Sequence, residues 1–165
     1  MKDSILIAKR AGERLVVAGG WGLSLDPALS YAGFVGGKRK NRIIADSKCL
    51  LTPVLWNEPF GLSIVECFYF GVPAIGTPYG DLPEIIKPDV GFISNKRSEL
   101  VDAVKNAGIW SRKRIHEYAC DNFSTKQMTA AYLKLYDIVL KGRTLNPRKP
   151  KSLPENFTAD FPMYD

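Results

Sequence analysis

Short apolar strands alternate with helical segments along most of this chain, and that alternation restricts the possible folds more than any other feature. Five short, mostly apolar runs have the length and composition of buried strands. They lie at residues 14–18, 31–35, 49–52, 72–76 and 91–94. Helical spacing predicts helices at residues 4–11, 39–47, 62–70, 82–86, 98–107, 111–121 and 125–140. Such alternation predicts βαβ units in an α/β fold, a Rossmann-like doubly wound parallel sheet covered on both faces.

The regular pattern ends near Gly142. Residues 1–142 are therefore predicted to form one domain, which is enough chain to bury a core of its own. Residues 143–165 contain scattered charges and four prolines, Pro147, Pro150, Pro154 and Pro162. We predict that they form an extended or disordered tail.

The formal charge of +6 raises the question of a nucleic-acid partner. Much of the excess of Lys and Arg lies in short runs at residues 38–40, 112–114 and 148–151. Such runs usually form solvated helix faces or a basic tail, and no RNA-binding aromatic signature or zinc-finger spacing accompanies them. We therefore expect no nucleic-acid partner, while a basic cleft for a phosphorylated small molecule remains compatible with the charge.

The cysteine and histidine content limits the possible metal and nucleophile chemistry. Cys49, Cys67 and Cys120 lack metal-ligand spacing and lie among apolar residues, so we interpret them as reduced thiols in or near the core of a cytoplasmic protein. His116 is the single histidine, which leaves no His-based triad or multi-His metal site within one chain. We interpret it as a helix-surface residue. No apolar run approaches the roughly 20 residues needed to cross a membrane.

The stretch NEPFGLSIVE, residues 57–66, places two glutamates eight positions apart around an uncharged turn. Proline biases Glu58 toward an extended backbone, and Gly61 has no Cβ, so another molecule can approach its backbone closely. The helix that begins there has unpaired N–H groups at its positive end, which favours an anion such as a phosphate. Glu66 lies among apolar residues, so it needs a partner or a cleft. The simpler interpretation makes Glu58 a turn residue and Glu66 a solvent-facing helix residue.

A second glycine-rich loop, residues 76–84, opens onto a second short helix. The carboxyl ends of parallel strands meet at one edge of a sheet. We therefore expect the loop that contains Glu58 and the loop at residues 76–81 to border the same crevice.

Together these motifs resemble the C-terminal, donor-binding domain of GT-B glycosyltransferases, specifically the retaining family 4 group. The motifs are GFVGG (33–37), CLLTPVLWNEPFGLSIVE (49–66), GVPAIGTPYGDLPEII (71–86), GFIS (91–94) and DNFS with YLKLYDIVLKG (121–142). The spacing of the two glutamates is weak by itself, but the ordered set is specific. The resemblance covers roughly residues 2–142 and implies one half of a GT-B enzyme.

The resemblance implies a role for particular residues. Glu58 would bond the hydroxyls of the donor sugar and is the candidate catalytic residue, and Glu66 would hold the ribose hydroxyls of the nucleotide. The backbone N–H groups of Phe60, Gly61 and Leu62 would meet the sugar and the diphosphate. A stretch near the base would correspond to Gly36, Gly37 and Lys38.

The reaction implied by the resemblance is transfer of a sugar from a nucleotide diphosphate donor, with retained anomeric configuration. The chain has no D-x-D motif, in agreement with a metal-independent site without cofactors. The N-terminal acceptor-binding domain of the family is not in this sequence. We therefore expect a donor-binding half that transfers little alone and needs that domain or a partner chain. The expected location is cytoplasmic, with a place at the membrane periphery left open for the full-length enzyme.

Two alternatives remain open at this point. A non-catalytic Rossmann-like module would bind a protein or a polyanion through its basic surface, with a steep dependence on salt. A nucleotide-sugar epimerase with the same two-domain architecture would convert the donor sugar without any acceptor.

Overall fold

The computed structural model describes residues 1–146, 148–149 and 160–165. Its strands are β1 (Leu15–Ala18), β2 (Leu29–Gly33), β3 (Leu50–Thr52), β4 (Ala74–Gly76) and β5 (Gly91–Ile93). Its helices are α1 (Lys2–Ala11), α2 (Gly37–Ala45), α3 (Leu62–Tyr69), α4 (Leu82–Ile85), α5 (Arg97–Lys105), α6 (Arg112–Phe123) and α7 (Thr125–Leu140), with a 3-10 turn at Ala107–Ile109. Each predicted strand and helix has an observed counterpart, and the second strand begins two residues earlier than predicted.

All strand pairs in these ladders are parallel, which confirms the predicted α/β fold. The ladders fall into two parts, because β1 pairs with β2 while β4 lies between β3 and β5. We call them the two-stranded part and the three-stranded part. Among the described residues no ladder joins β1 to β3, so the sheet that the sequence predicts is divided there. A ten-residue loop, residues 19–28, joins β1 to β2 without a helix.

Helices cover both faces of the three-stranded part, because neighbouring residues of a strand point to opposite faces. Ala74 packs with the apolar side chains of α3, α4 and α6, which include Phe68, while Ile75 packs with those of α1 and α5, which include Leu100. These four side chains are fully buried. The covering on both faces that the sequence predicts is present here.

The last helix, α7, lies on the outside and has no buried residue. Several of its apolar side chains are more than half exposed: Met128, Tyr132, Leu133, Tyr136, Val139 and Leu140. Exposed apolar surface on this helix is what we expect for a domain that docks against another. None of the helices in the described ranges is long and apolar enough to cross a membrane.

Residues 160–165 lie against the domain, and we call them the docked segment. Tyr164 forms a parallel bridge with Lys96, which directly precedes α5, and Met163 packs against the core cluster that contains Ile75 and Leu100. The predicted extended or disordered tail, residues 143–165, lies partly outside the described residues, at positions 147 and 150–159. The boundary at residue 142 stays a prediction.

Candidate functional site

Glu58 lies in the loop between β3 and α3, and both its backbone and its side chain are held. Its carbonyl oxygen accepts a hydrogen bond from the Asp81 N–H at 2.8 Å, and its backbone forms a parallel bridge with Gly80. Its carboxylate accepts a hydrogen bond from the Trp56 indole Nε1–H at 3.0 Å. The loop that contains Glu58 and the loop at residues 76–81 therefore meet at Glu58, while a crevice that both of them border stays a prediction.

Gly80 makes this contact possible because it has no side chain. It has a φ of +64°, and a Cβ built there would lie 2.3 Å from the backbone nitrogen and the carbonyl oxygen of Glu58. Both the positive φ and the lack of space exclude other residues without a shift of the loops. Thr77, which is fully buried, ties the same loop to the segment after β3, because its hydroxyl donates a hydrogen bond to the Val54 carbonyl at 2.6 Å.

The first turn of α3 begins at Gly61, which has a φ of +78° and no side-chain cap. The amides of this turn lie at the positive end of the helix, where an anion is favoured. Leu62 is largely exposed, and Phe60 packs edge-on against Phe123. A Cβ at Gly61 would lie 2.7 Å from Ile64 Cδ1, so the lack of a side chain at Gly61 leaves room for the Ile64 side chain.

Glu66 projects from α3 into a cleft of about 760 Å³ between β1 and β3. Its Oε1 forms an ion pair with Lys40 Nζ at 2.5 Å. Both side chains are partly exposed, with an exposed fraction of 47% for Glu66 and 35% for Lys40. Glu66 thus has both of the features that its apolar surroundings require, a partner and a cleft.

The other predicted site residues lie apart from this cleft. Glu58 borders neither the 760 Å³ cleft nor the adjoining cleft of about 360 Å³ in the described part of the chain. Gly36 precedes α2 in an extended conformation, and Gly37 and Lys38 form the exposed start of that helix. The structure thus brings Glu58 to the loop at residues 76–81 and Glu66 to Lys40, as two separate groups.

Lys40 is the charged cleft residue that the sequence reasoning missed, since Lys38 was the candidate there. Lys40 lines the cleft together with Ile43 and Ile44. Positions three and four apart share one face of a helix. That spacing was the available signal, because it puts Lys40 on the inward face of α2.

A second ion pair at the cleft joins Lys48 Nζ to Glu13 Oε1 at 2.5 Å. Cys49 and Cys67 line the same cleft. Burial raises the pKa of the Cys49 thiol to about 11 and that of the Cys67 thiol to about 12, so both are neutral at physiological pH.

The interpretation of Cys120 as a core or near-core thiol is wrong, because it lies exposed on α6. Its neighbours in sequence are apolar only on one side of the helix, and its own side faces solvent. His116 is exposed one turn earlier, as predicted, and its Nδ1 lies 2.5 Å from the Tyr69 carbonyl oxygen. Among residues 1–146, 148–149 and 160–165, no cluster of three or more His, Cys, Asp or Glu side chains could hold a metal ion.

The chain is similar to several known proteins. A Klebsiella pneumoniae protein described as an uncharacterized 41.2 kDa protein in the cps region is 31% identical over 114 residues, which is 64% of this chain and 31% of that protein. The crystal structure of AviGT4, a glycosyltransferase involved in avilamycin A biosynthesis, superposes with a TM-score of 0.70 and 23% identity, and covers 85% of this chain and 47% of that one. TarM superposes with a TM-score of 0.61 and 15% identity over 82% of this chain and 31% of that one.

The chain spans less than half the length of these relatives. At such identities the two structures establish the shared fold. Residues 21–119 match the family described as glycosyl transferases group 1, a range that includes Glu58, Glu66 and both glycine-rich loops. Because this range is more than half of the residues, the chain belongs to the glycosyl transferases group 1 family.

Proposed function

We propose that this chain is the nucleotide-sugar-binding half of a retaining, family 4, GT-B glycosyltransferase. The observation that carries the proposal is the position of Glu66. Its carboxylate stands in a cleft, with one oxygen held by Lys40 at 2.5 Å. The other oxygen has no hydrogen-bond partner among the described residues. A fixed carboxylate with free acceptor sites suits two neighbouring hydroxyls, and a ribose carries such a pair.

Glu58 takes the donor sugar in this proposal. The Trp56 indole and the Gly80 loop fix its position, and its charge would stabilise the positive charge that develops on the sugar in the transition state. The leaving phosphate would help to deprotonate the acceptor hydroxyl, on the same face as the bond that breaks. Glu58 therefore has a positioning and electrostatic role, without a covalent step.

The diphosphate would lie at the first turn of α3, where the N–H groups of Phe60, Gly61 and Leu62 have no side-chain cap. Uncapped amides at a helix start bind anions without a metal ion. The base would lie near the start of α2, at Gly36, Gly37 and Lys38. Metal independence is part of the proposal, so EDTA should leave donor affinity unchanged.

Transfer would need a second domain. An active site between two domains positions donor and acceptor together, and a half without the acceptor side loses that proximity. We therefore expect this chain alone to bind the donor weakly and to transfer little. The exposed apolar face of α7 is available for such a domain or a partner chain. The proposed location of the enzyme is the cytoplasm, including the membrane periphery.

The test is a thermal-shift screen of UDP-, GDP- and ADP-sugars, followed by calorimetry with the donor that stabilises the chain most. A ligand that binds only the folded state raises its stability by mass action. Hydrogen bonds to a charged group are worth about 1.5–3 kcal/mol, so Glu66→Gln should weaken binding by roughly 10- to 100-fold. Glu117→Gln is the matched control, because Glu117 forms an exposed ion pair with Lys113 on α6.

The outcomes separate the proposal from its rivals. Conversion of the donor sugar with no acceptor present would identify an epimerase. Binding to polyanions alone, with a steep salt dependence, would identify an interaction module. If the folded chain binds no nucleotide sugar at millimolar concentration, or if both glutamine variants bind equally well, the proposal is wrong.

A further inference from the structure

We propose that Tyr79 is a positioning residue for Glu58, and that the docked segment, residues 160–165, holds Tyr79 in place. The geometric part of this inference stands by itself. Its consequence for donor binding rests on the proposed function.

The docked segment contacts Tyr79 in two ways. The Tyr79 hydroxyl donates a hydrogen bond to the Pro162 carbonyl oxygen. The ring of Phe161 meets the Tyr79 ring edge-on, with centroids 5.1 Å apart and an interplanar angle of 78°. Edge-to-face pairs of this kind are favourable beyond the area that they bury. Tyr79 is partly buried as a result.

The rest of the docked segment is anchored to the end of the sheet. The Tyr164 N–H donates to the Asn95 carbonyl at 2.7 Å, and the Arg97 N–H donates to the Tyr164 carbonyl at 2.6 Å. The guanidinium of Arg97 binds Asp165, and it also binds Asp3 of α1 at 2.9 Å. The docked segment therefore has a fixed position relative to β5 and α1. Because it is anchored in this way, its contacts with Tyr79 fix the position of that side chain.

Tyr79 precedes the residue on which the position of Glu58 depends. Gly80 bridges to Glu58, Asp81 donates its N–H to the Glu58 carbonyl, and Glu58 in turn accepts from Trp56. Among the described residues, the other side-chain hydrogen bond of the loop at residues 77–81 is the one that the buried Thr77 hydroxyl donates. A shift at Tyr79 would move Gly80, and the Glu58 carboxylate would move with it.

The arrangement gives residues 160–165 a role in the site although they lie outside the family match at residues 21–119. If Tyr79 is released, the loop at residues 77–81 gains freedom, and Glu58 no longer has one position. Under the proposed function, affinity for the donor then falls, because the loop and the Glu58 side chain must become ordered each time a donor binds.

The test uses the Trp56 indole N–H as a reporter, because it bonds directly to Glu58. In ¹⁵N-labelled full chain the three indole cross-peaks are assigned with single Trp→Phe variants. Tyr79→Phe and a deletion of residues 160–165 are then compared with the unaltered chain. We expect the Trp56 peak to shift by more than its linewidth in both. The Trp110 indole, which donates to the Pro88 carbonyl at 2.9 Å, should not move.

Two further variants set the limits of the test. Gly80→Ala is the positive control, since its Cβ would collide with the Glu58 backbone. Tyr132→Phe, on the exposed face of α7, is the negative control. If the deletion moves all three indole peaks, the chain has unfolded and Tyr79→Phe decides alone. A Trp56 peak unmoved by Tyr79→Phe, while Gly80→Ala moves it, overturns the inference.

The same variants then separate this inference from the proposed function. A several-fold weaker affinity of Tyr79→Phe for the donor found in the screen supports both. If the Trp56 peak shifts but no nucleotide sugar binds even the unaltered chain, the positioning role stands and the proposed function fails. If the unaltered chain binds a donor and the Trp56 peak does not move, the reverse holds.

Discussion

The two-stranded and three-stranded parts of the sheet differ in how well they are buried. In the three-stranded part, β4 is buried throughout and helices lie on both faces. In the two-stranded part, β1 alternates between partly buried and exposed residues, and the loop that follows it exposes Trp21, Leu23 and Leu25. The same strand–helix alternation in sequence thus gives one part with a complete core and one part with an open face.

The difference in burial shows which part of the sheet fixes the positions of the candidate site residues. Glu58 and Glu66 both belong to the three-stranded part, on the loop and the helix that follow β3, and the core under α3 holds them. The two-stranded part contributes Lys40, which reaches across the cleft from α2. The buried part therefore orients the acids, and the exposed part supplies the opposite wall of the cleft.

The largest expected contrast is between two aromatic truncations. Phe68 of α3 is fully buried, whereas Trp21 is 83% exposed in the loop after β1. Phe68→Ala should lower the free energy of unfolding by about 3–5 kcal/mol, because it leaves a cavity in the core. Trp21→Ala should change it by no more than about 0.5 kcal/mol. Denaturant unfolding measures both, and losses of equal size would contradict the division into two unequal parts.

Thiol alkylation tests whether the two parts of the sheet stay together and keep the thiols at their cleft shielded. Cys49 and Cys67 line it, with pKa values raised by burial to about 11 and about 12, while Cys120 is exposed. The raised pKa values make the reactive thiolates of Cys49 and Cys67 roughly 100- to 1,000-fold scarcer at pH 8 than those of ordinary thiols. We expect iodoacetamide to modify Cys120 at least about 100-fold faster, as peptide mapping by mass spectrometry would show.

The raised pKa values of Cys49 and Cys67 also determine how the stability of the fold changes with pH. Unfolded thiols ionise near their ordinary pKa of 9.0, and the buried thiols ionise only at higher pH. The stability due to neutral Cys49 and Cys67 is therefore complete below about pH 9 and is lost as the pH rises toward 11 and 12. Cys120→Ser is the control, because without the exposed thiol the slow alkylation rates of Cys49 and Cys67 can be measured directly. Rates for Cys49 and Cys67 close to that of Cys120 at pH 8 would mean that the two parts separate readily.

Local sequence patterns were sufficient to predict most of the fold. Apolar runs and helical spacing are short-range signals, and they placed every strand and helix within a few residues. The meeting of the two glycine-rich loops was also predictable, because parallel strands end at one edge. The need for a partner at Glu66 followed from its apolar neighbours alone.

Long-range contacts were not predictable in the same way. Lys40 and Glu66 are 26 residues apart, and no local pattern states which cation meets which acid. The contact between Tyr79 and Pro162 joins residues 83 positions apart, in a stretch whose prolines and charges are typical of a tail. Cys120 has apolar neighbours in sequence, but which face of α6 it occupies depends on how that helix packs against α3.

The smallest expected effect is the coupling between the two parts through Lys40 and Glu66. Both side chains are partly exposed, and exposed ion pairs contribute about 0.2–1 kcal/mol. A double-mutant cycle of Lys40→Met and Glu66→Gln, measured by denaturant unfolding, should give a coupling energy in that range. The value should fall in 1 M salt, because salt screens exposed charges.

The matched cycle is Lys113→Met with Glu117→Gln, an exposed pair within α6 that does not span the cleft. Both cycles should respond to salt alike if each pair contributes only through its charges. If the Lys40–Glu66 coupling instead exceeds about 2 kcal/mol and resists salt, the pair is part of a folded core, since desolvated pairs lose far more when one partner is removed. The description of the two-stranded part as a separate part with an open face would then be wrong, and both parts of the sheet would have to be treated as one cooperative unit.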